Sequence, residues 1–131
     1  MASKMTRTEC FAVHGVVPKN NRWSWSGRSP DGSRVAVVLW QDKFADGGKA
    51  YRSEAHSSDE KWFGSNGHNE LIENLQHAKE MLSGVVYFIV ARAKDPLAEP
   101  RSIDECFTRA NMQMEIVHFD PVSGAFELRR A

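Results

Sequence analysis

Aromatic, cationic and amide side chains are concentrated in one stretch near the N-terminus. Residues 20–28 read Asn-Asn-Arg-Trp-Ser-Trp-Ser-Gly-Arg, and Trp40 follows in the next apolar segment. Bases that are unpaired or flipped out of a duplex are held by stacking on aromatic rings and by hydrogen bonds to their Watson–Crick edges. The chain offers rings for stacking, polar groups for base edges and cations for phosphates. The residues that supply them are Asn20, Asn21, Arg22, Trp23, Trp25, Arg28, Trp40, Asp42 and Arg101. These residues are the predicted nucleic-acid-binding site.

A structural interpretation of the same residues stays open. Tryptophans in a small sheet usually belong to the core, and Trp40 follows Val38 and Leu39. Arg101 has the alternative of an ion pair with a neighbouring carboxylate, from Asp95, Glu99 or Asp104. The function therefore depends on whether the tryptophan rings form a wall of the core or the floor of a pocket.

A β-hairpin is the element that would position these side chains. Trp23 and Trp25 are two residues apart, so in a strand they point to the same face, and the serines and arginines of residues 22–28 point to the other. The segment Pro-Asp-Gly-Ser at 30–33 is typical of a turn. The apolar run 34–40 then forms the second strand, and the hairpin spans roughly residues 22–42.

Metal and nucleophile chemistry is not favoured by the residue spacing. Pro30-Asp31 followed by Gln41-Asp42-Lys43 has the letters of a metal-dependent nuclease, but ten residues of strand separate Asp31 from Gln41 by roughly 33 Å. The five histidines show no H-x-x-x-H or H-E-x-x-H spacing, and we expect most of them at the surface. Cys10 and Cys106 are interpreted as small buried hydrophobes. We predict no catalytic residue, metal or cofactor, and a binding protein rather than an enzyme.

The length and composition of the chain are typical of one soluble domain, which we expect to span residues 1–131. The longest apolar run, 85–91, is too short to span a bilayer, and no membrane partner is expected. The N-terminus lacks the apolar core of a secretion signal, and two widely spaced cysteines indicate a reducing compartment. A cytoplasmic location is the prediction.

Charge is balanced overall but not along the chain. Seventeen basic side chains match seventeen acidic ones, which argues against strong non-specific attraction to nucleic acid. Residues 1–52 hold nine Lys and Arg against four Asp and Glu, a balance of plus five; residues 53–131 hold eight against thirteen, a balance of minus five. This asymmetry indicates either a face that meets an anion or a chance distribution along a folded chain.

Hydrophobic periodicity predicts an α+β fold. A short helix over 3–14 would be capped by Thr6 or Thr8 and end at Gly15, and a long helix over 66–83 would end at Gly84. The apolar members of the long helix form one stripe, and its polar residues cover the remainder: Leu71, Ile72, Leu75, Ala78 and Leu82 against Glu70, Glu73, Asn74, His77, Lys79 and Glu80. The predicted domain is a curved, mostly antiparallel sheet of about five to six strands with the long helix on one face.

The C-terminal half supplies three of those strands. Residues 85–91 are apolar at every position, which predicts a central strand buried on both faces. Residues 112–119 alternate, with Met112, Met114, Ile116 and His118 expected on one side. A turn at 120–124 leads into a second hairpin arm over 125–130.

A family resemblance rests on this central block. Asn69–Leu75, leading through Gly84 to the strand 85–91, resembles the strand–helix–strand core of the modified-cytosine-binding domain that precedes the HNH nuclease in McrA-type restriction proteins. The preceding strand Val35–Trp40 fits the same order, and the similarity covers about residues 34–105. It implies a stand-alone reader of modified DNA bases. Because no HNH motif is present in the sequence, the resemblance implies that any cleavage would come from a separate nuclease chain.

Three functions are therefore compared. The leading hypothesis is a nucleic-acid-binding module that reads a modified or flipped base in an aromatic pocket. The second is a small-molecule-binding protein or enzyme with a pocket between the 66–83 helix and the sheet, lined by Asp42, His56, His68 and Arg101. The third is a protein-interaction module, such as a homodimer that pairs through an exposed strand edge at 125–130.

Overall fold

Two helices and eight strands form the described part of the chain. The computed structural model describes residues 6–19, 24–53, 66–93, 103–120 and 125–130. Its elements are α1 (Arg7–Val13), β1 (Ser26–Arg28), β2 (Val35–Trp40), β3 (Phe44–Ala45), β4 (Ala50–Ser53), α2 (Asn66–Met81), β5 (Val85–Ala93), β6 (Ile103–Phe107), β7 (Gln113–Phe119) and β8 (Phe126–Arg129). Single 3₁₀ turns at Gln41–Lys43 and Asp46–Gly48 flank β3.

One open, mixed sheet contains all eight strands. Its order is β1-β2-β5-β7-β8-β4-β3, and β6 pairs with β5 beside this path. Within the described residues, β2 and β5 are the parallel pair and the other pairs are antiparallel. The prediction of a single α+β domain is confirmed, whereas the predicted five to six strands are too few. The two-residue β3 and the short β6 carry too little pattern to be recognised as strands in the sequence.

The central position predicted for residues 85–91 is confirmed. β2 lies along one edge of β5, while β7 and then β6 lie along the other. Phe88 lies between the parts of β5 that pair with β7 and with β6, and its backbone is also hydrogen-bonded. Its N–H donates to the Met112 carbonyl at 3.0 Å. The Thr108 hydroxyl donates to the Phe88 carbonyl at 2.8 Å. β5 therefore has hydrogen-bonded neighbours on both sides, as a buried apolar strand requires.

Each helix covers one face of the sheet. On the α2 face, Leu71, Leu75 and Ala78 pack on a large cluster that includes Phe88 and Met114. On the α1 face, a smaller cluster joins the helix to the sheet through Cys10, Phe11, Val16, Ala36, Val38, Ile89, Ala91 and Cys106. The apolar stripe predicted for the long helix is confirmed, and so is the burial of both cysteines as free thiols.

Local signals set the helix ends. The Thr6 hydroxyl accepts from the Glu9 N–H, and the Glu9 carboxylate accepts from the Thr6 N–H, which is a reciprocal capping box. α1 accordingly begins at Arg7, and the part of the predicted helix before Thr6 lies outside the described residues. After the C-terminal end of α2, Ser83 and Gly84 both have left-handed backbones, with φ of 56° and 76°. Gly84 thus ends the helix region as its conformational freedom predicts.

Two predictions for the C-terminal hairpin are wrong. A β-bulge between Ile116 and His118 shifts the β7 register, so His118 is exposed and Phe119 is buried instead. The exposed strand edge predicted at 125–130 is also wrong, because β8 pairs with β7 on one side and β4 on the other. Its backbone groups are already used, so it is not the exposed strand edge proposed for a homodimer.

Gly27 supports a close approach of two chain segments. Val17 forms an isolated bridge with Arg28, so the chain crosses directly over Gly27. A Cβ on Gly27 would lie 3.2 Å from Val16 Cγ2 and 3.3 Å from both the Pro18 nitrogen and the Val17 carbonyl carbon. Two of these three atoms belong to the backbone and cannot rotate away.

We expect Gly27→Ala to lower the free energy of unfolding by about 1–3 kcal/mol, because the added methyl group overpacks this crossing. Urea denaturation followed by far-UV circular dichroism measures the change. An unchanged denaturation midpoint would contradict the close approach.

Candidate nucleic-acid interface

The structure separates the predicted site residues onto two faces of the sheet. Trp25 and Trp40 lie on the α1 face, and Arg28 lies on the α2 face. Asp42 is exposed in the 3₁₀ turn that directly follows Trp40. Asn20, Asn21, Arg22, Trp23 and Arg101 lie outside the described residues. So do His56 and the side chain of His68, which were predicted for a small-molecule pocket.

The two described tryptophans form a contacting pair. The Trp25 carbonyl accepts from the Val38 N–H at 2.9 Å, so Trp25 lies opposite Val38 and on the same face as Trp40. The ring centroids of Trp25 and Trp40 are 5.3 Å apart, and the rings are tilted by 46°. Both side chains are partly buried against the α1-face cluster. The pair is therefore a wall of the core on one side and an aromatic surface on the other.

Arg7 holds one side of this pair. Its Nη1 donates to the Ser24 carbonyl at 3.0 Å, and its Cζ lies 5.1 Å from the Trp25 ring centroid. This is a cation–π distance. Burial lowers the pKa of the Arg7 guanidinium, but a guanidinium remains charged at neutral pH. Arg7, at the first position of α1, is thus a positive charge fixed against an aromatic ring.

A second arginine–aromatic pair occupies the same sheet face. Arg34 precedes β2, and its Cζ lies 5.4 Å from the Tyr87 ring centroid. Tyr87 pairs with Ala36, whereas Trp40 pairs with Ala91. Since strand residues rise by about 3.3 Å, the Tyr87 row and the Trp40 row are separated by roughly 13 Å along β2. The α1 face therefore presents two cation–aromatic groups, one near each end of β2.

On the opposite face, the serine and arginine side of the hairpin is a buried polar seam with α2. Asn74 Nδ2 donates to Ser26 Oγ at 2.7 Å, and Arg28 Nε donates to Asn74 Oδ1 at 3.2 Å. Arg28 Nη2 also donates to the Glu73 carbonyl at 3.4 Å. Ser26 and Asn74 are buried. Arg28 thus joins the hairpin to α2, away from the tryptophan pair.

Glu70 extends this polar seam along the same side of α2. Its Oε2 accepts from the Lys19 N–H at 3.0 Å, and the side chain is only 3% exposed. Its Oε1 has no hydrogen-bond partner within the described part of the chain. Glu70 and Asn74 lie outside the apolar stripe, as predicted, but both are buried, because this side of α2 packs on β1 and the segment before it.

The turn at 30–33 is ordered by its own side chains. Asp31 Oδ1 accepts from the Ser29 hydroxyl at 2.7 Å, the Ser33 hydroxyl at 2.7 Å and the Ser33 N–H at 3.0 Å. The bonds from Ser33 and Ser29 lower the pKa of Asp31 to about 2. Asp31 lies before β2 and Gln41 after it, so the nuclease-like letters do not meet. Among the described residues, no group of three His, Cys, Asp or Glu side chains could hold a metal ion.

Sequence reasoning missed Arg7, Arg34 and Tyr87 as members of an aromatic–cationic surface. Arg7 lies far from the hairpin in sequence, and Tyr87 is one letter in an apolar run. Their contacts with Trp25 and with each other arise from α1 docking and from the parallel β2–β5 pairing. Glu70 and Asn74 left a weak signal, since their spacing of four places them on one side of a helix.

The chain matches no protein-family model, no curated protein and no solved structure. No helix in the described ranges is long and apolar enough to cross a membrane.

Proposed function

We propose that the protein binds nucleic acid by stacking unpaired bases on the α1 face of its sheet. The observation that carries this proposal is the Trp25–Trp40 pair, partly exposed and held beside the Arg7 guanidinium. Arginine beside tryptophan combines a stacking surface with a cation for the neighbouring phosphate, which is the common design of single-strand binding surfaces.

The second pair, Arg34 and Tyr87, extends the surface along β2. A nucleic-acid strand that stacks one base on Trp40 would meet this second cation–aromatic group near the start of β2. Asp42, exposed beside Trp40, is the acidic group placed to accept a hydrogen bond from a base amino group. Because the chain has no net charge, affinity would come from these local groups and not from a general positive field.

The resemblance to modified-cytosine-binding domains supplies the more specific form of the proposal. In that form, the base that stacks on the tryptophan pair is a modified cytosine flipped from a duplex. Arg28 has no part in this contact, because it is bonded to Asn74 on the other face. The tryptophan pair and Arg7 are the groups to test.

We expect Trp40→Ala to weaken binding by about 1–2 kcal/mol, roughly 5- to 30-fold, because a partly exposed ring contributes less than a full stacking platform. Fluorescence anisotropy with dye-labelled oligonucleotides at low salt measures the affinity. Single strands, unmodified duplexes and duplexes with modified cytosine are compared, so that the general and specific forms of the proposal are tested separately.

Phe107→Ala is the matched control for this measurement. Phe107 is another exposed aromatic ring, but it pairs with Val90, whose side chain packs in the α2-face cluster. Its loss should leave binding unchanged. Wild-type protein that binds none of the three probes, or equal effects of the two substitutions, would overturn the proposed function.

A further inference from the structure

His14 is a buried imidazole whose hydrogen bonds define its protonation state. It follows α1 directly and is fully buried, and its Nε2 lies 2.8 Å from the Thr108 hydroxyl oxygen. The Thr108 hydroxyl donates its single proton to the Phe88 carbonyl. Nε2 must therefore be the donor to Thr108, which leaves Nδ1 as a bare lone pair. Nδ1 has no hydrogen-bond partner in the ranges that the structure describes. His14 is an exception to the expectation that most of the histidines lie at the surface.

The groups around His14 disfavour its charged form. The Tyr87 ring of β5 lies 4.8 Å away, centroid to centroid, and the Cζ of Arg34, which precedes β2, lies 5.4 Å from the centroid of the same Tyr87 ring. Thr108 contributes a neutral hydroxyl, and Cys10, one turn before His14 on α1, is a neutral thiol. Arg34 is the charged group acting on His14, and it is positive. Burial, and then Arg34, lower the pKa of His14.

We propose that His14 is an acid-sensitive latch that holds α1 on the sheet. In its neutral form, His14 donates to Thr108 and packs on Tyr87. A proton added at Nδ1 would create a buried cation that faces Arg34 and has no acceptor among the described residues. Protonation is therefore accommodated by releasing α1, which exposes the imidazole to water.

The direction in which pH changes the docking of α1 follows from proton linkage. Because the pKa of His14 is lower in the docked state than in the released state, the released state binds more protons. Docking of α1 is strongest above the ordinary pKa of histidine and weakens as the pH falls below it. The histidine is thus a sensor in the range of about pH 5–7.

Two buried thiols report on the latch. Cys10 on α1 and Cys106 on β6 lie in the cluster beneath the helix, 0% and 2% exposed. Burial raises their pKa values to about 12 and about 11, so both are thiols in the docked state at neutral and acidic pH. A disulfide reagent that reacts with thiols in acid, such as 4,4′-dithiodipyridine, would label them when α1 leaves the sheet.

The experiment compares labelling rates at about pH 5 and about pH 7, normalised to a free thiol at each pH. Each unit by which the docked pKa lies below that of the released state raises the released fraction about tenfold once the imidazole is protonated. We expect faster labelling of wild-type protein at the lower pH, with the far-UV circular dichroism of the sheet retained, which distinguishes release of α1 from global unfolding. Equal normalised rates at both values would overturn the latch.

Two variants identify His14 as the group responsible. His14→Gln places a neutral amide donor near the position of Nε2 and should remove the pH dependence. Arg34→Gln, at an exposed position, removes the unfavourable charge and should reduce the pH dependence even where the first variant folds poorly. A pH dependence that both variants retain in full would assign the effect to another group.

The consequence for binding rests on the proposed function. Release of α1 would carry Arg7 away from Trp25, so affinity for a thymine-only oligonucleotide, whose bases do not titrate in acid, should fall in parallel with the rise in labelling. If wild-type protein binds no oligonucleotide at any pH, the proposed function fails, and the labelling rates still decide the latch. If binding is present and independent of pH while labelling rises, this link is overturned.

Discussion

Replacing Phe11 with alanine is expected to lower the free energy of unfolding by about 3–5 kcal/mol, the usual cost of deleting a buried aromatic ring. Phe11 is 1% exposed and packs between α1 and the sheet. α1 has seven residues, far fewer than an isolated helix needs to persist in water. Its docking therefore depends on the few apolar side chains that it buries, and Phe11 is the largest of them.

Urea denaturation, followed by both tryptophan fluorescence and far-UV circular dichroism, measures the effect. Val13→Ala is the control, because Val13 lies on the same helix but is 39% exposed; it should change stability by less than about 1 kcal/mol. The Phe11 variant should also label rapidly at Cys10 and Cys106 at neutral pH, since their cover is loosened. Equal stability of the two variants would contradict the account of α1 as a helix held by its buried face.

Asn74→Ala is expected to lower the free energy of unfolding by about 2–3 kcal/mol, because it removes the hydrogen-bond partner of the buried Ser26 hydroxyl and of the partly buried Arg28 Nε. Asn74 donates to Ser26 and accepts from Arg28, so its amide satisfies one neutral group and one charged group. The loss of a hydrogen bond to a charged group is the larger part of the effect. An alanine at this position would otherwise favour the helix.

Gln76→Ala is the matched control for this variant. Gln76 is an exposed amide on the same helix, and its side chain bonds to Glu80 one turn away. Its replacement should be nearly neutral. A double-mutant cycle of Asn74→Ala with Ser26→Ala isolates the contact between those two side chains. If Asn74→Ala and Gln76→Ala have the same stability, the polar seam contributes nothing to the attachment of β1 to α2.

The alternation predicted for the hairpin side chains is confirmed where the structure describes them. The alternation of tryptophan with serine and arginine in the hairpin correctly placed Trp25 on one face and Ser26 and Arg28 on the other. The sequence could not show that both faces of this hairpin are covered, one by α1 and one by α2. A strand pattern reports which side chains share a face, but the partner of each face comes from distant parts of the chain.

Polar residues were the most difficult to place. Glu70, Asn74 and His14 are types that usually lie at the surface, and all three are buried here. Each is buried because a specific partner lies on another element: the Lys19 N–H, the Ser26 hydroxyl and the Thr108 hydroxyl. Such pairs have sequence separations of 48 to 94 residues, and no local pattern records them.

The elements governed by short-range physics were determined by the sequence itself. These signals act within a few residues, so the local sequence is sufficient to specify the elements. They are the capping threonine with its glutamate, the apolar stripe at helical spacing, the glycine after α2 and the uninterrupted apolar strand. The tertiary structure alone decided which arginine meets which ring. Arg7 meets Trp25 and Arg34 meets Tyr87 because α1 docks on the face formed by the parallel β2–β5 pair. It also decided that β8 is an inner strand and that His14 is fully buried, since burial is a property of the packed layers and not of any one segment.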